Sequence, residues 1–427
     1  AAIETLRKDS QDPAFIKGLA RTLLLENQHR VTLTLQPDVN LAQEKAEAER
    51  ARLQTTVEAM SDTERRYEMD QTVALTRRQT EVEDLEILPK VTLKDVPKDH
   101  PYPEPIVTGP VTAYGAGCNG IVYHQLIREL PVLNEADWRL LPVLNQIAGE
   151  LGFGRQDYLD VQNLQQSLTG GISAFASVRA RLANTDQAGA FFVLSSRSLA
   201  RNASKMMALL NETAQGLRFD ETGRIAELVR QSNTRKQMGV INQGHSLAML
   251  AASAAFSKIS ALNHQLSGLG SLAFFKGLVA KIEEGDVASL AADLAGLYAR
   301  FQQAPQSAMV IADEARVPEL VNALLQRGTL TQSGPAQQLI LAEQTALETA
   351  YVTETEVNFC AAAYACPSES SAAVAAVQVL AAVLRNQYLH AEIREKGGAY
   401  GGGASYDAAN GLFRLYSYRD PELLKTF

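Results

Sequence analysis

Toward the end of the chain Arg394 is followed by Glu395, Lys396, Gly397, Gly398, Ala399 and Tyr400, and then by Gly401, Gly402 and Gly403. A guanidinium and a phenol both donate hydrogen bonds, and a tight glycine turn between them brings the two to one side. Donors fixed in a water-poor place stabilise the charge that grows on a carbonyl oxygen under attack, and loss of one raises the barrier by roughly 3–4 kcal/mol. The same residue types support a second reading, with Arg394 a cation at a helix end and Tyr400 an aromatic at a sheet edge. The glycine string does not suit a phosphate. A phosphate cradle follows a strand and opens a helix, whereas this loop follows a helical pattern that ends near Lys396 and opens a strand. Gly397 or Gly398 fits a helix C-cap, and the later glycines leave a strand face bare enough for another backbone, such as an extended peptide.

Metal chemistry requires ligands at usable spacing, and the chain has neither an HExxH run nor an inverted HxxEH run. Its six histidines, His29, His100, His124, His245, His264 and His390, are scattered, so no metal site is expected. No GxSxG elbow is present, and no Cys stands beside a His by local spacing. Cys118, Cys360 and Cys366 form no CxxC. Three thiols cannot make a closed disulfide set, which favours a reducing compartment and buried structural roles.

A chain of 427 residues exceeds the size of one ordinary core. With 46% hydrophobic, 21% charged and 6% aromatic residues it has the composition of a packed globular protein. Its formal net charge of -8 provides no general field for phosphate backbones, so nucleic acid is not an expected partner. No apolar run reaches the roughly 20 residues of a bilayer crossing, so no membrane partner is expected either. Ala1 to Ser10 mix acid and base without a signal-peptide core, and lacking an initiating Met they read as a cut through a larger chain.

The elements that must position Arg394 and Tyr400 come in a legible order. A helix over Ala14 to Leu25 leads to a strand-like alternation of Val31, Leu33 and Leu35, stopped by Pro37. Leu41 to Leu85 lacks Gly and Pro, is rich in Glu, Lys, Arg, Gln and Ala, and breaks at Ser61 to Thr63, where a cap signal precedes Glu64. This predicts a charged helical hairpin. Six prolines between Leu88 and Pro110 then set an extended connector and a boundary near residue 100. A first α/β unit follows to about residue 330: a strand over Ile121 to Leu130, a helix over Glu135 to Leu151, a strand pair over Leu168 to Leu182, a strand over Ala190 to Leu194, helices from Leu199 to Leu297, and a strand over Ala308 to Ala312. The rhythm restarts with strands near Thr345 to Val352 and Val357 to Tyr364, a long helix over Ser370 to Lys396 and a hairpin over Tyr400 to Tyr418. Phe427 ends this second unit before it closes a sheet.

The run from Arg394 to Gly401, together with LYSYRDPELLK over Leu415 to Lys425, HRVTLTLQPD over His29 to Asp38 and TGGIS over Thr169 to Ser173, resembles the presequence-protease branch of the insulinase (pitrilysin) family of zinc metallopeptidases. The likeness spans nearly the whole chain. It implies the carboxy-terminal half-shell of such an enzyme, with two related sheet-and-helix domains preceded by a hinge. By that likeness residues 1–38 are the tail of a preceding domain and 39–100 the helical hairpin hinge and Pro-rich connector. Residues 101–330 are a third, non-catalytic α/β domain, and 331–427 a fourth α/β domain that is incomplete.

The resemblance implies that Arg394 and Tyr400 reach the substrate carbonyl across a closed chamber, with Gly397, Gly398 and Gly401 in substrate binding. Zinc is then held by the amino-terminal half-shell of the full-length polypeptide. The helix over Glu135 to Leu151 takes the place of the zinc helix, yet Leu140 to Gly149 reads LLPVLNQIAG and offers no ligand. The expected partners are therefore a peptide and the amino-terminal half, in the cytoplasm or an organelle matrix, with this chain inactive alone. The competing reading is a non-catalytic, peptidase-like scaffold or peptide-binding subunit.

Overall fold

A computed structural model describes residues 2–81, 85–99, 102–181, 184–331, 349–368 and 372–426. The chain divides into two compact units, Ala1–Leu85 and Glu86–Phe427.

In the first unit α1 (Ala2–Asp9) precedes α2 (Pro13–Ala20), which starts where Asp12 accepts the Ala14 N–H at 2.9 Å and continues as a π-helical turn over Arg21–Leu25. Val31, Leu33 and Leu35 are exposed and form no strand. Their alternation is that of a strand, but a strand needs a neighbour to satisfy its backbone, and the described residues of this unit contain none. The expected hairpin is present as α3 (Leu41–Ala59) and α4 (Asp62–Thr80). Ser61 and Glu64 close a capping box at the start of α4, and Arg65 donates across the turn to the Val57 carbonyl at 2.9 Å. Neither helix has a buried face. Pairs such as Arg52–Glu49 at 2.6 Å line their surfaces instead.

The second unit begins with β1 (Ile106–Thr108), β2 (Val111–Gly115), β3 (Ile121–Glu129), α5 (Glu135–Ile147), α6 (Tyr158–Leu168), β4 (Ile172–Arg181) and β5 (Asn184–Leu199). Six helices follow, α7 (Ala203–Gly216), α8 (Thr222–Asn242), α9 (Gly244–Ser253), α10 (Lys258–Leu266), α11 (Gly270–Glu283) and α12 (Val287–Gln302), and then β6 (Gln306–Ala312) and α13 (Val317–Gln326). The strands form one sheet in the order β1-β2-β6-β3-β5-β4. All pairs are antiparallel except β2 with β6. Where a strand pair is expected over Leu168 to Leu182 the described residues hold one strand, β4, which pairs with a β5 that runs well beyond Ala190 to Leu194.

Alternation explains how this sheet builds a core. Val122, His124, Leu126 and Arg128 of β3 turn to the buried face, as do Gln306, Ala308, Val310 and Ala312 of β6. The helices cover that face with Leu141, Leu144, Ile147, Met206, Leu210, Phe275 and Phe301, all fully buried. Arg128 carries its charge inside, where it donates to Gln306 Oε1 at 2.7 Å and to the carbonyls of Phe301 and Ala214 at 2.9 and 3.0 Å. A capping box of Asn134 and Asp137 opens α5, and Asp137 also pairs with Arg300 of α12.

The remaining chain forms a smaller sheet from β7 (Asn358–Ala365), β8 (Gly401–Asp407) and β9 (Leu412–Asp420) in the order β7-β9-β8. Between β7 and β8 lies α14 (Val374–Val383), which continues without a break as a π-helix over Leu384–Lys396. The start of the strand expected over Thr345 to Val352 lies outside the described residues, and residues 349–352 form no strand.

Candidate functional site

The winding of the long helix sets the position of Arg394. From Leu384 its hydrogen bonds span five residues instead of four, and the last of these runs from the Gly397 N–H to the Glu392 carbonyl at 2.9 Å. Gly398 then takes φ of +76°, which reverses the chain. The Ala399 N–H returns to the Ile393 carbonyl at 3.1 Å, and the Tyr400 N–H bonds the Arg419 carbonyl at 3.2 Å. This loop is thereby tied to its helix on one side and to the end of β9 on the other. Arg394 and Tyr400 come together: the guanidinium carbon lies over the phenol ring, 5.6 Å from its centre. Both side chains are exposed, Tyr400 by 57%.

Two further side chains share that ring. The guanidinium carbon of Arg419 lies 5.5 Å from the centre of Tyr400, and the Tyr418 ring stands 5.6 Å away at a 58° tilt. Arg419 has φ of +48°, a conformation that non-glycine residues seldom take. It separates two neighbours: Arg419 is exposed, while Asp420 is buried and accepts the Glu422 N–H at 3.0 Å and the Thr426 hydroxyl at 2.8 Å.

The glycines of β8 do not leave a bare face. A Cβ on Gly401 would lie 2.6 Å from the Tyr418 ring, one on Gly402 2.8 Å from Ile393, and one on Gly403 2.7 Å from Arg385. The chain's own side chains fill the room expected for an extended peptide. Gly397 sits against the carbonyls of its own helix, whereas Gly398 has nothing nearer than Pro421 at 3.7 Å.

The larger sheet's helices also reach this place. α9 packs on β7 and β9, and Gly244 at its start comes so near Phe359 that a Cβ would lie 2.4 Å from the ring. The next residue, His245, holds its imidazole 5.0 Å from the ring centre of Tyr418 and 5.9 Å from that of Tyr416. Burial among these rings lowers its pKa and favours the neutral form.

Among the described residues no three His, Cys, Asp or Glu side chains gather closely enough to hold a metal ion. Apart from Asp137, which is taken up by Arg300, the buried residues of α5 are apolar, Trp138, Leu141, Leu144 and Ile147 among them, and do not fit a zinc ion. His124 is buried, and its Nδ1 lies 3.2 Å from the Met309 carbonyl. His264 approaches Tyr351 and His390 approaches Glu395, while His29 is exposed and His100 lies outside the described residues. A groove of about 640 Å³ between α5, α11 and α12 contains none of the predicted site residues.

Tyr418 and Arg419, though part of the LYSYRDPELLK run, and His245, though noted among the histidines, were not assigned to the site from the sequence. The spacing of Tyr416 and Tyr418 does signal one strand face. No local pattern announces the left-handed backbone of Arg419 or the long-range docking of α9.

Two family models match the chain: the associated domain of peptidase family M16, subfamily C, over residues 35–278, and the "PreP C-terminal domain" over residues 348–427. The mitochondrial presequence protease of Xenopus tropicalis is 26% identical over 449 residues, covering 97% of this chain and 44% of the relative. That of Yarrowia lipolytica is 25% identical over 435 residues, covering 100% and 44%. The chain thus spans less than half the length of these curated relatives. A solved protease from Helicobacter pylori shares the fold with a TM-score of 0.50, at 12% identity over 76% of each chain. Those matches cover the α/β body and the Arg394–Tyr400 loop alike, and the chain belongs to subfamily C of the insulinase-type peptidases, in its presequence-protease branch.

Proposed function

We propose that this chain is the substrate-holding, carboxy-terminal half of a zinc-dependent peptidase that degrades unstructured peptides in a closed chamber. Arg394 and Tyr400 would hold the carbonyl of the bond to be cut. The observation that carries this reading is the exposed guanidinium lying 5.6 Å over an exposed phenol, on a loop tied at both ends. A guanidinium held over a ring keeps N–H donors for another acceptor, and the phenol adds an O–H donor beside it. Aimed at one carbonyl oxygen, the pair would oppose the charge that develops there. The backbone of Gly397 and Gly398 would border the bound peptide, and Gly401 would serve the site by letting Tyr418 lie close beneath the loop.

Zinc belongs to the same proposal as a constituent of the other half of the full-length polypeptide, which is also this chain's partner, so the chain alone would not hydrolyse peptides. The curated relatives carry mitochondrial names, and we place the protein by analogy in an organelle matrix.

The test is peptide hydrolysis by the full-length polypeptide. Tyr400→Phe should lower turnover by roughly 100-fold, since it removes a donor that acts most strongly in the transition state. Arg394→Lys keeps the charge but loses the planar fork and should also impair turnover. If both variants keep activity within about threefold of the parent at matched zinc content and melting temperature, the two residues have no part in the chemistry.

A further inference from the structure

One phenol ring with a guanidinium from each of two elements is more positive charge than a single carbonyl oxygen requires. Arg394 comes from the end of the π-helix and Arg419 from the end of β9, and both are exposed. Among the described residues neither has an ion-pair partner, although cations around them do: Lys396 pairs with Glu392 at 2.7 Å, Arg414 with Asp407 at 2.5 Å and Lys425 with Glu422 at 3.0 Å. The one carboxylate adjacent to Arg419 in sequence, Asp420, faces inward and is already satisfied by Glu422 and Thr426. The left-handed backbone at Arg419 keeps the two apart, so the cation stays unneutralised beside Tyr400 in an otherwise acidic chain.

We propose that Arg419, together with Arg394, forms a carboxylate-binding subsite next to Tyr400, making Arg419 a specificity-determining residue for peptides that present a carboxylate there. This rests on the proposed peptide-holding role and adds a chemical preference to it. Guanidinium groups match carboxylates with forked, charge-assisted hydrogen bonds, which neutral amides cannot equal. The carboxylate has two sources, an acidic side chain or the free carboxyl end of the peptide.

Binding to the 427-residue chain, without hydrolysis, tests this directly. A fluorescein-labelled peptide is prepared in three forms: one acidic side chain with an amidated end, a neutral side chain with a free end, and both neutral. Affinity is read by anisotropy. The fully neutral form should bind about tenfold more weakly than whichever form presents its carboxylate to the subsite, and that form identifies the source. The preference should shrink as salt is raised, because the two cations are exposed. Arg419→Gln should erase most of the preference and Arg419→Lys should retain part of it, with melting temperatures compared to the parent. Equal affinity of the parent chain for all three forms overturns the proposal whatever the variants do, and an undiminished preference in Arg419→Gln removes Arg419 from it. Failure to bind any of the peptides overturns the peptide-holding role as well, which separates the two claims.

Discussion

The two sheets of the second unit are built on unequal foundations. The six-stranded sheet is covered by helices whose Phe275, Tyr298 and Phe301 are fully buried, and the edge-on ring of Tyr298 lies 6.1 Å from the equally buried Phe192 of β5. The three-stranded sheet gathers Ala381, Ala404 and Phe413 into a small cluster among the described residues, and α14 leaves Val379, Leu380 and Val383 exposed. The candidate donors nevertheless stand on the smaller sheet. Burial supplies stability roughly in proportion to apolar area, whereas a donor that must meet a ligand has to stay at the surface. The body with the large core carries none of the proposed chemistry, but it contributes α9, whose His245 steadies the tyrosines behind the loop.

The largest effect should come from the body. Phe301→Ala opens a cavity in a dense aromatic cluster and should cost about 3–5 kcal/mol in urea unfolding, while Phe413→Ala, whose larger neighbours are only partly buried, should cost clearly less. Equal losses would break the contrast between the two sheets. His124 should make the body acid-sensitive. Burial is the main cause that lowers its pKa from 6.5 to about 4, so it folds neutral, and its stabilising share is present above pH 6.5 and lost as pH falls toward 4. Between pH 7.5 and 5 that share amounts to roughly 2 kcal/mol, and His124→Leu should remove this part of the pH dependence. A parent and variant with the same urea midpoint shift would sink the assignment.

A smaller loss is expected from Asp137→Ala, about 1–2 kcal/mol in thermal unfolding, because it deletes half of the capping box and the partner of Arg300. Tyr400→Phe should change stability least, within about 0.5 kcal/mol, since the lost hydroxyl belongs to a mostly exposed side chain. A large drop in melting temperature would instead make Tyr400 a structural residue and favour the sheet-edge reading.

What the sequence disclosed was mostly local. Ser61 and Glu64 announce the start of α4, and the break-free run on either side of them gives two helices of 19 residues each. The Gly397–Gly398 pair foretold the turn that brings Arg394 to Tyr400, because a left-handed residue after a helix is nearly always glycine. The length of β5 and the covering of Gly401 by Tyr418 depend on residues far apart in the chain, which periodicity does not register. Val31, Leu33 and Leu35 show the converse: their alternation is correct for a strand, yet pairing supplies what alternation cannot.

The π-helix over Leu384–Lys396 adds a consequence for which changes this site can survive. An α-helical residue turns the chain by about 100° and a residue of the wider π-helix by somewhat less, so deleting or inserting one residue upstream of Arg394 within this run would swing Arg394 well off its present side of the axis. Substitutions along the run leave the residue count, and with it the angular register of Arg394, intact. Between Leu384 and Arg394 the protein should therefore accept many exchanges of one side chain for another and almost no single-codon insertion or deletion, a bias that a mutational library containing both kinds of change would reveal.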